Sequence, residues 1–433
     1  MNCHSTLHLR LVGARQGLLA AMVLLGAGRA PCQGQAPAAR IDLNQAIQLA
    51  LVHNHALKAA RTTIQQSQAV EITAGLRPNP VFTTDALFLP LFSPNGLTSG
   101  NLNSLSEFDV GAAYTIERGQ KRQSRVRAAR DVTRETRTLV SDAERTLAFN
   151  VAQQFIGVLL AKSTLEFAQT DLNSFRDTVN ISEARYKAGD ISEGDYLKIK
   201  LQLLQFQTDV SSAQVALVQA RAGLREFLGY DAVPENYEVA GELAYTPVTL
   251  NLEDFEAQAL KLRPDLVAAR EGVTAADSQY RLARANGKRD LTLTMDYTHV
   301  NTFNNGSFFG SIEIPIFDRN QGEIARTHYA ITQAQETQAS TSDTVLTDVQ
   351  NAYEATRTDG QVVELYTSGY LKEAQDSLDI SQYAYKRGAA SLLDFLDAER
   401  SYRATELAYR QALASFMVGV EQLREAVGTR NVP

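Results

Sequence analysis

The chain has no tryptophan, and its two cysteines, Cys3 and Cys32, both fall near the N-terminus. Everything beyond them is free of disulfides and thiol chemistry. Histidine is scarce as well, at six residues. His53 and His55 form a His-x-His pair, but on a helix such residues point apart and no third ligand stands nearby, so no metal site is expected. His299 and His328 are isolated. Gly-x-Ser-x-Gly, a phosphate loop, paired cysteines and a dinucleotide fingerprint are all absent, so neither an enzyme nor a cofactor is expected. The net charge of −7 argues against a nucleic-acid partner. The basic run RGQKRQSRVR (Arg118 to Arg127) reads more plainly as a solvated helix start or an interface rim. After Gly28 no apolar run is long enough to cross a bilayer as a helix.

Proline is missing where it would matter. None occurs between Pro94 and Pro234, or between Pro315 and Pro433. A helix interior would be broken by proline at a cost of about 3 kcal/mol or more. These gaps therefore permit very long helices, expected at Gln120 to Ala188 and at Gln321 to Arg387. Apolar residues step by three and four, as at Leu197, Leu201 and Leu204, among Gln, Ser, Thr and charges. That suits a narrow coiled-coil seam.

What is present begins with an export signal. Arg10 and Arg15 form a basic region, GLLAAMVLLGAG (Gly17 to Gly28) an apolar one, and small residues follow. Residues 1–40 read as signal peptide and disordered leader. Cys32 either carries a lipid after cleavage or belongs to the discarded segment.

The rest is written twice. YKAGDISEGDYLKIK (Tyr186 to Lys200) answers to YKRGAASLLDFLDAER (Tyr385 to Arg400), with Gly189 and Gly388 at the same step. LNQAIQLALVHNHALKAAR (Leu43 to Arg61) matches LEDFEAQALKLRPDLVAAR (Leu252 to Arg270). The period of about 200 residues is too long for a solenoid, so this is a duplicated domain, at residues 41–240 and 241–433. Each copy holds a helical segment (Ile41 to Leu76; Leu252 to Asn286), a β-hairpin (residues 80–117; 290–317) and a long α-hairpin. The α-hairpins turn at Gly189 and Gly388.

The strands follow from alternation. LTLTMDYT (Leu291 to Thr298) places Leu291, Leu293, Met295 and Tyr297 on one face. EFDVGAAYTIE (Glu107 to Glu117) does so with Phe108, Val110, Ala112, Tyr114 and Ile116. SFFGSIEIPI (Ser307 to Ile316) and, more weakly, VFTTDALFL (Val81 to Leu89) complete the set. The second hairpin's loop is expected at Asn301 to Gly306. Alternation alone fits a membrane barrel with a watery lumen or a soluble sheet with one buried face. The export signal favours the membrane. Four strands cannot close a barrel, so several copies would have to pool theirs. Phe108, Val110, Tyr114, Leu293, Met295 and Ile312 are then the lipid-facing residues.

RPNP (Arg77 to Pro80), IPIFDRNQGEIA (Ile314 to Ala325), LRPDL (Leu262 to Leu266) and YKRGAASLLDFLDA together resemble the outer-membrane efflux proteins of the TolC superfamily. The wording is most similar to the CzcC-type heavy-metal branch, over nearly all of Ile41 to Gly428. The resemblance implies a mainly α fold with a small β part. Long coiled-coil α-hairpins would form a periplasmic α-barrel, and four strands per chain would join a trimeric twelve-stranded transmembrane β-barrel. It implies a passive export channel in the outer membrane, with a periplasmic adaptor and an inner-membrane pump of the RND type as partners. Heavy-metal cations are the expected cargo. Drugs, small molecules or a type I secretion substrate are the alternative, and a soluble periplasmic coiled-coil scaffold is the reading from a different class.

The resemblance also implies a gate at the tips. Asp394 and Asp397 match two acidic positions that form rings at the constriction, and i, i+3 spacing puts them on one helix face. Tyr385 and Asp195 match positions that latch the inner hairpin. The family's partnering arginine is Ala390 here, leaving Arg387 and Lys187 as stand-ins. The alternative for both aspartates is a solvated helix start favoured by the helix dipole. Gly189 and Gly388 mark the tips where an adaptor would dock.

Overall fold

The computed structural model describes residues 40–249 and 251–430. The export signal and Cys32 lie outside them. In chain order the elements are β1 (Arg40–Ile41), α1 (Leu43–His53), α2 (His55–Gly75), β2 (Val81–Leu87), α3 (Ser99–Leu105), β3 (Glu107–Ile116), α4 (Lys121–Ala188), α5 (Glu193–Leu228) and β4 (Glu238–Val239). The second half runs through α6 (Leu252–Leu262), α7 (Pro264–Asn286), β5 (Leu291–Val300), β6 (Phe303–Ile312), α8 (Gln321–Leu365), a π-helical turn (Tyr366–Tyr370), α9 (Leu371–Lys386) and α10 (Leu392–Val427).

Helix α4 is one unbroken run of 68 residues, about 100 Å at 1.5 Å per residue. Its only glycine is Gly157, and it stops where Gly189 takes a left-handed φ of 83°. The second long run is not continuous, in contrast to the expected helix from Gln321 to Arg387. It widens into the π turn around Gly369, whose φ of 155° is not helical. A left-handed residue opens each long helix, Gln120 at φ 60° and Asn320 at φ 62°.

The first helical segment of each repeat is also split. Asn54 ends α1 and caps α2, its Oδ1 accepting from the Leu57 amide. At the same place in the second repeat Pro264 occupies the first turn of α7, where its missing N–H costs nothing.

The segments flanking each α-hairpin form a second layer on the long helices. In the first repeat Ile47, Tyr237 and Val239 bury against Val151, Phe155 and Val158 of α4. In the second, Phe255 and Leu266 bury with Val345 and Val349 of α8 and Leu423 of α10.

The short β1 and β4 pair in parallel with each other, and the other four strands form an antiparallel sheet in the order β2-β3-β5-β6. Its register aligns the apolar alternation across all four strands. Val110 stands opposite Tyr297, Ala112 opposite Met295 and Phe82, Tyr114 opposite Leu293, and Met295 opposite Phe308. Phe108, Val110, Leu293, Met295 and Ile312 are exposed on that face, and Tyr114 is half-buried. The other face carries Thr83, Asp85, Asp109, Gly111, Thr292, Thr294, Asp296 and Ser307.

Two details depart from the alternation reading. The β5–β6 connection is a two-residue turn at Asn301 and Thr302, both at positive φ. The Asn/Gly cluster that suggested a six-residue loop lies inside β6 instead. That strand ends at Ile312, so Ile314 and Ile316 fall beyond it.

Candidate gate at the hairpin tips

Both α-hairpins turn through one device. Gly189 and Gly388 adopt left-handed φ of 83° and 76°. The next amides return to carbonyls of the last helical turn: Asp190 N to Arg185 O at 2.9 Å, and Ala389 N to Ala384 O at 2.9 Å. A β-carbon at positive φ would be strained, so glycine is needed at both points. Three residues after each glycine a serine caps the returning helix. Ser192 Oγ accepts from Asp195 N at 3.1 Å, and Ser391 Oγ from Asp394 N at 3.2 Å.

The aspartates are thereby placed. Asp394 completes a capping box: its Oδ2 accepts from Ser391 N at 3.2 Å and from Ser391 Oγ at 2.7 Å. Asp397, one turn on, pairs with Arg400. Both carboxylates are exposed. Asp195 is the first-repeat equivalent of Asp394, accepting from Ser192 Oγ at 2.9 Å and pairing with Lys198 at 3.4 Å. Capping and the helix dipole account for the repeated Ser-x-x-Asp by themselves.

Tyr385 is almost fully buried, at 3% exposure. Its hydroxyl lies 3.3 Å from Ser182 Oγ, Arg185 donates to its carbonyl at 2.7 Å, and the Arg185 guanidinium lies over its ring at 5.2 Å. The arginine in contact with Tyr385 thus comes from the opposite hairpin. Of the two expected stand-ins, Arg387 lies over Tyr383, and Lys187 pairs with Glu183 at 2.7 Å. Gln382 donates to Thr178 Oγ1 at 3.3 Å on the same seam.

Above the tip the seam becomes aromatic, then charged. Phe206, Phe175, Phe395 and Tyr385 stack in series, with centroid separations of 4.2, 6.4 and 5.4 Å. Behind them lies a group that sequence reasoning missed. Asp171 of α4 and Glu399 of α10 are both buried, at 7% exposure each. Arg403 lies 2.6 Å from Asp171 through Nε, out of line for a hydrogen bond, and also pairs with Asp209 of α5. Its guanidinium covers the Phe206 ring at 4.2 Å.

Asp171 and the half-buried Asp209 thus share one cation, with the buried Glu399 carboxyl beside them. Burial first, and then the adjacent Asp171 charge, push the Glu399 carboxyl up to about 8. Burial also raises Asp171. Glu399 therefore holds a proton at neutral pH and hydrogen-bonds its neighbour across the two hairpins. The only available signal was spacing: Glu399 follows Phe395 by four residues, so a charge stands at a core position.

The model of the family described as "Outer membrane efflux protein" matches residues 46–230 and 257–429. The chain is 27% identical over 352 residues to "Probable outer membrane lipoprotein SilC" of Salmonella typhimurium, covering 77% of this chain and 75% of that one. It is 23% identical to "Cobalt-zinc-cadmium resistance protein CzcC" of Cupriavidus metallidurans, covering 89% of each. Among solved structures, that of CusC superposes with a TM-score of 0.75 at 22% identity, over 89% of this chain and 92% of that chain. The Vibrio cholerae outer membrane protein VceC gives 0.72 at 19% identity, over 89% and 96%.

Proposed function

The chain belongs to the outer membrane efflux protein family, and from that premise we propose that three copies pool their strands into one barrel and their α-hairpins into one tunnel. The protein is an export channel of the outer membrane. The observation that carries the trimer is the sheet. Its apolar residues are in register on one face, while β2 and β6 are left as open edges. An open edge in lipid leaves each unpaired backbone group several kcal/mol worse off. β2 of one copy beside β6 of the next closes the ring. Detergent-solubilised protein should measure at three chains by native mass spectrometry, and a stable monomer with intact strands would overturn this reading.

The tunnel moves cargo passively and performs no chemistry on it. A periplasmic adaptor engages the tips at Gly189 and Gly388, and an inner-membrane pump drives export. Heavy-metal cations are the proposed cargo. CzcC is named for cobalt, zinc and cadmium resistance and CusC for cation efflux. The polar sheet face adds Asp85 directly across from Asp109, with Asp296 across from Gly111. A strain lacking the gene should become sensitive to cobalt, zinc or cadmium and recover on complementation. OpmQ of Pseudomonas putida, named for pyoverdine export, is 25% identical. Unchanged metal tolerance with lost pyoverdine release would favour that second reading.

The tip is proposed as the gate. Asp394 and Asp397 form carboxylate rings that attract cations. Tyr385, held by Ser182 and Arg185, keeps the second hairpin against the first. Asp195 contributes its cap and its charge to the neighbouring tip.

A further inference from the structure

The first turns of α4 carry an arginine concentration at odds with a protein of net charge −7. Arg122, Arg127, Arg130, Arg134 and Arg137 line one groove of about 980 Å³ between α4 and α2. Only two carboxylates, Glu71 and Asp131, share it. Arg134 is taken by Asp131 and Glu271, and Arg122 donates to the Gly75 carbonyl. Arg130 is 3.8 Å from Glu71, at the limit of an ion pair. Arg127 and Arg137 are exposed and have no partner among the described residues.

The duplication provides an internal control. Counted from the left-handed residue that opens each helix, the same positions of α8 are Gly322, Thr327, Ala330, Ala334 and Thr337. A long helix at this place in the fold does not need arginine at any of them. Solvation of a surface helix does not need a single sign of charge either, since like charges on neighbouring turns repel. The cationic groove is a property of the first repeat alone.

Its position narrows the ligand. β3 ends at Ile116 and α4 starts at Lys121, so the groove opens within a turn or two of the strand ends. Helical side chains lean toward the N-terminus, which here is toward the sheet. Seven-residue steps carry the stripe of Arg130 and Arg137 on to Val151 and Val158, the face that the second layer covers lower down. The groove therefore lies on the layered side of the helices, and Arg125, Ala128 and Val132 occupy the other side. A tunnel lumen has no room for the added layer, so the arginines face outward beneath the bilayer. Guanidinium groups bind phosphate through paired N–H donors, and clusters of them beside a membrane attract anionic lipid.

We propose that this groove binds the phosphate headgroup of an anionic phospholipid from the leaflet nearest the helices. The proposal rests on the reading that the sheet spans the membrane. Native mass spectrometry of the full chain in detergent tests it, with phosphatidylglycerol and phosphatidylcholine titrated separately. Phosphatidylglycerol should bind preferentially. Arg127→Gln with Arg130→Gln should weaken it on the order of thirtyfold while leaving phosphatidylcholine adducts unchanged. Arg130 holds only its 3.8 Å pair with Glu71 and Arg127 no ion pair among the described residues, so folding and outer-membrane fractionation should persist. Equal binding of the two lipids, or an unaltered double variant, would overturn the proposal. So would displacement of the lipid by an equal concentration of inorganic phosphate, which marks a soluble-anion site, or binding of a polyglutamate peptide in its place, which marks an acidic protein partner. Loss of outer-membrane fractionation in the wild-type chain would instead sink the membrane-spanning reading itself.

Discussion

Replacing Glu399 with Gln tests whether a shared proton holds the two α-hairpins together. The group is raised from 4.5 to about 8 by burial and by Asp171. A carboxyl raised on folding stabilises the fold while protonated. Its contribution is complete below its unfolded value and is lost as pH rises through the folded one. Between about pH 7 and about pH 9 the neutral fraction of a group titrating at about 8 falls tenfold, and the α4–α10 seam loses on the order of 1 kcal/mol per chain. The mechanism is specific. Ionised Glu399 faces Asp171 with Arg403 already divided between Asp171 and Asp209. Gln keeps the size and the donor but cannot ionise. Hydrogen exchange of peptides spanning Tyr385 to Arg403, corrected for base catalysis, should show opening about tenfold easier at the higher pH in the wild type. The Glu399→Gln protein should show no such change. Equal pH dependence in both proteins, or none in either, would refute the shared proton.

Three further outcomes follow from the geometry. Leu293→Arg, on the apolar sheet face, should cost about 2–4 kcal/mol near the bilayer midplane and reduce assembly, whereas Thr292→Arg on the opposite face is better tolerated, as read by outer-membrane yield and heat-resistant oligomer on gels. Arg185→Met with Tyr385→Phe removes the contacts to Ser182 and the Tyr385 carbonyl, and should raise the open probability of single channels in planar bilayers with trimer yield unchanged. Asp394→Asn with Asp397→Asn should abolish block by trivalent cations added at the periplasmic side and lower cation selectivity; persistent block would leave these residues as cap and surface pair only.

Legibility in the sequence was uneven for physical reasons. The long helices were readable because proline is excluded from helix interiors, and the strands because their alternation is imposed by a sheet with two unlike faces. The π turn was not, because nothing distinguishes Tyr366 to Tyr370 from a helical stretch containing one glycine. The two-residue turn at Asn301 and Thr302 was masked by the stronger Asn/Gly cluster after it. At the tip, Gly189, Gly388 and the paired Ser-x-x-Asp caps were visible through the repeat. The partner of Tyr385 was not, since Arg185 comes from the opposite hairpin and no local spacing joins them. The same holds for Asp171, Glu399 and Arg403, each an ordinary charge until α4 and α10 are brought together.

The two long arms differ in stiffness. α4 runs 68 residues without interruption and bends as a single rod. The arm made of α8 and α9 is weakened at Tyr366–Tyr370, where Gly369 leaves the helical region and the backbone ladder changes step. A load applied at Gly388 therefore concentrates its bending there, about 27 Å above the tip at 1.5 Å per residue. The aromatic stack, the Tyr385 contacts and Arg403 all join the flexible arm or its return helix to the stiff one below that point. The first hairpin serves as the strut and the second as the lever, with its fulcrum written into the backbone rather than into any side chain.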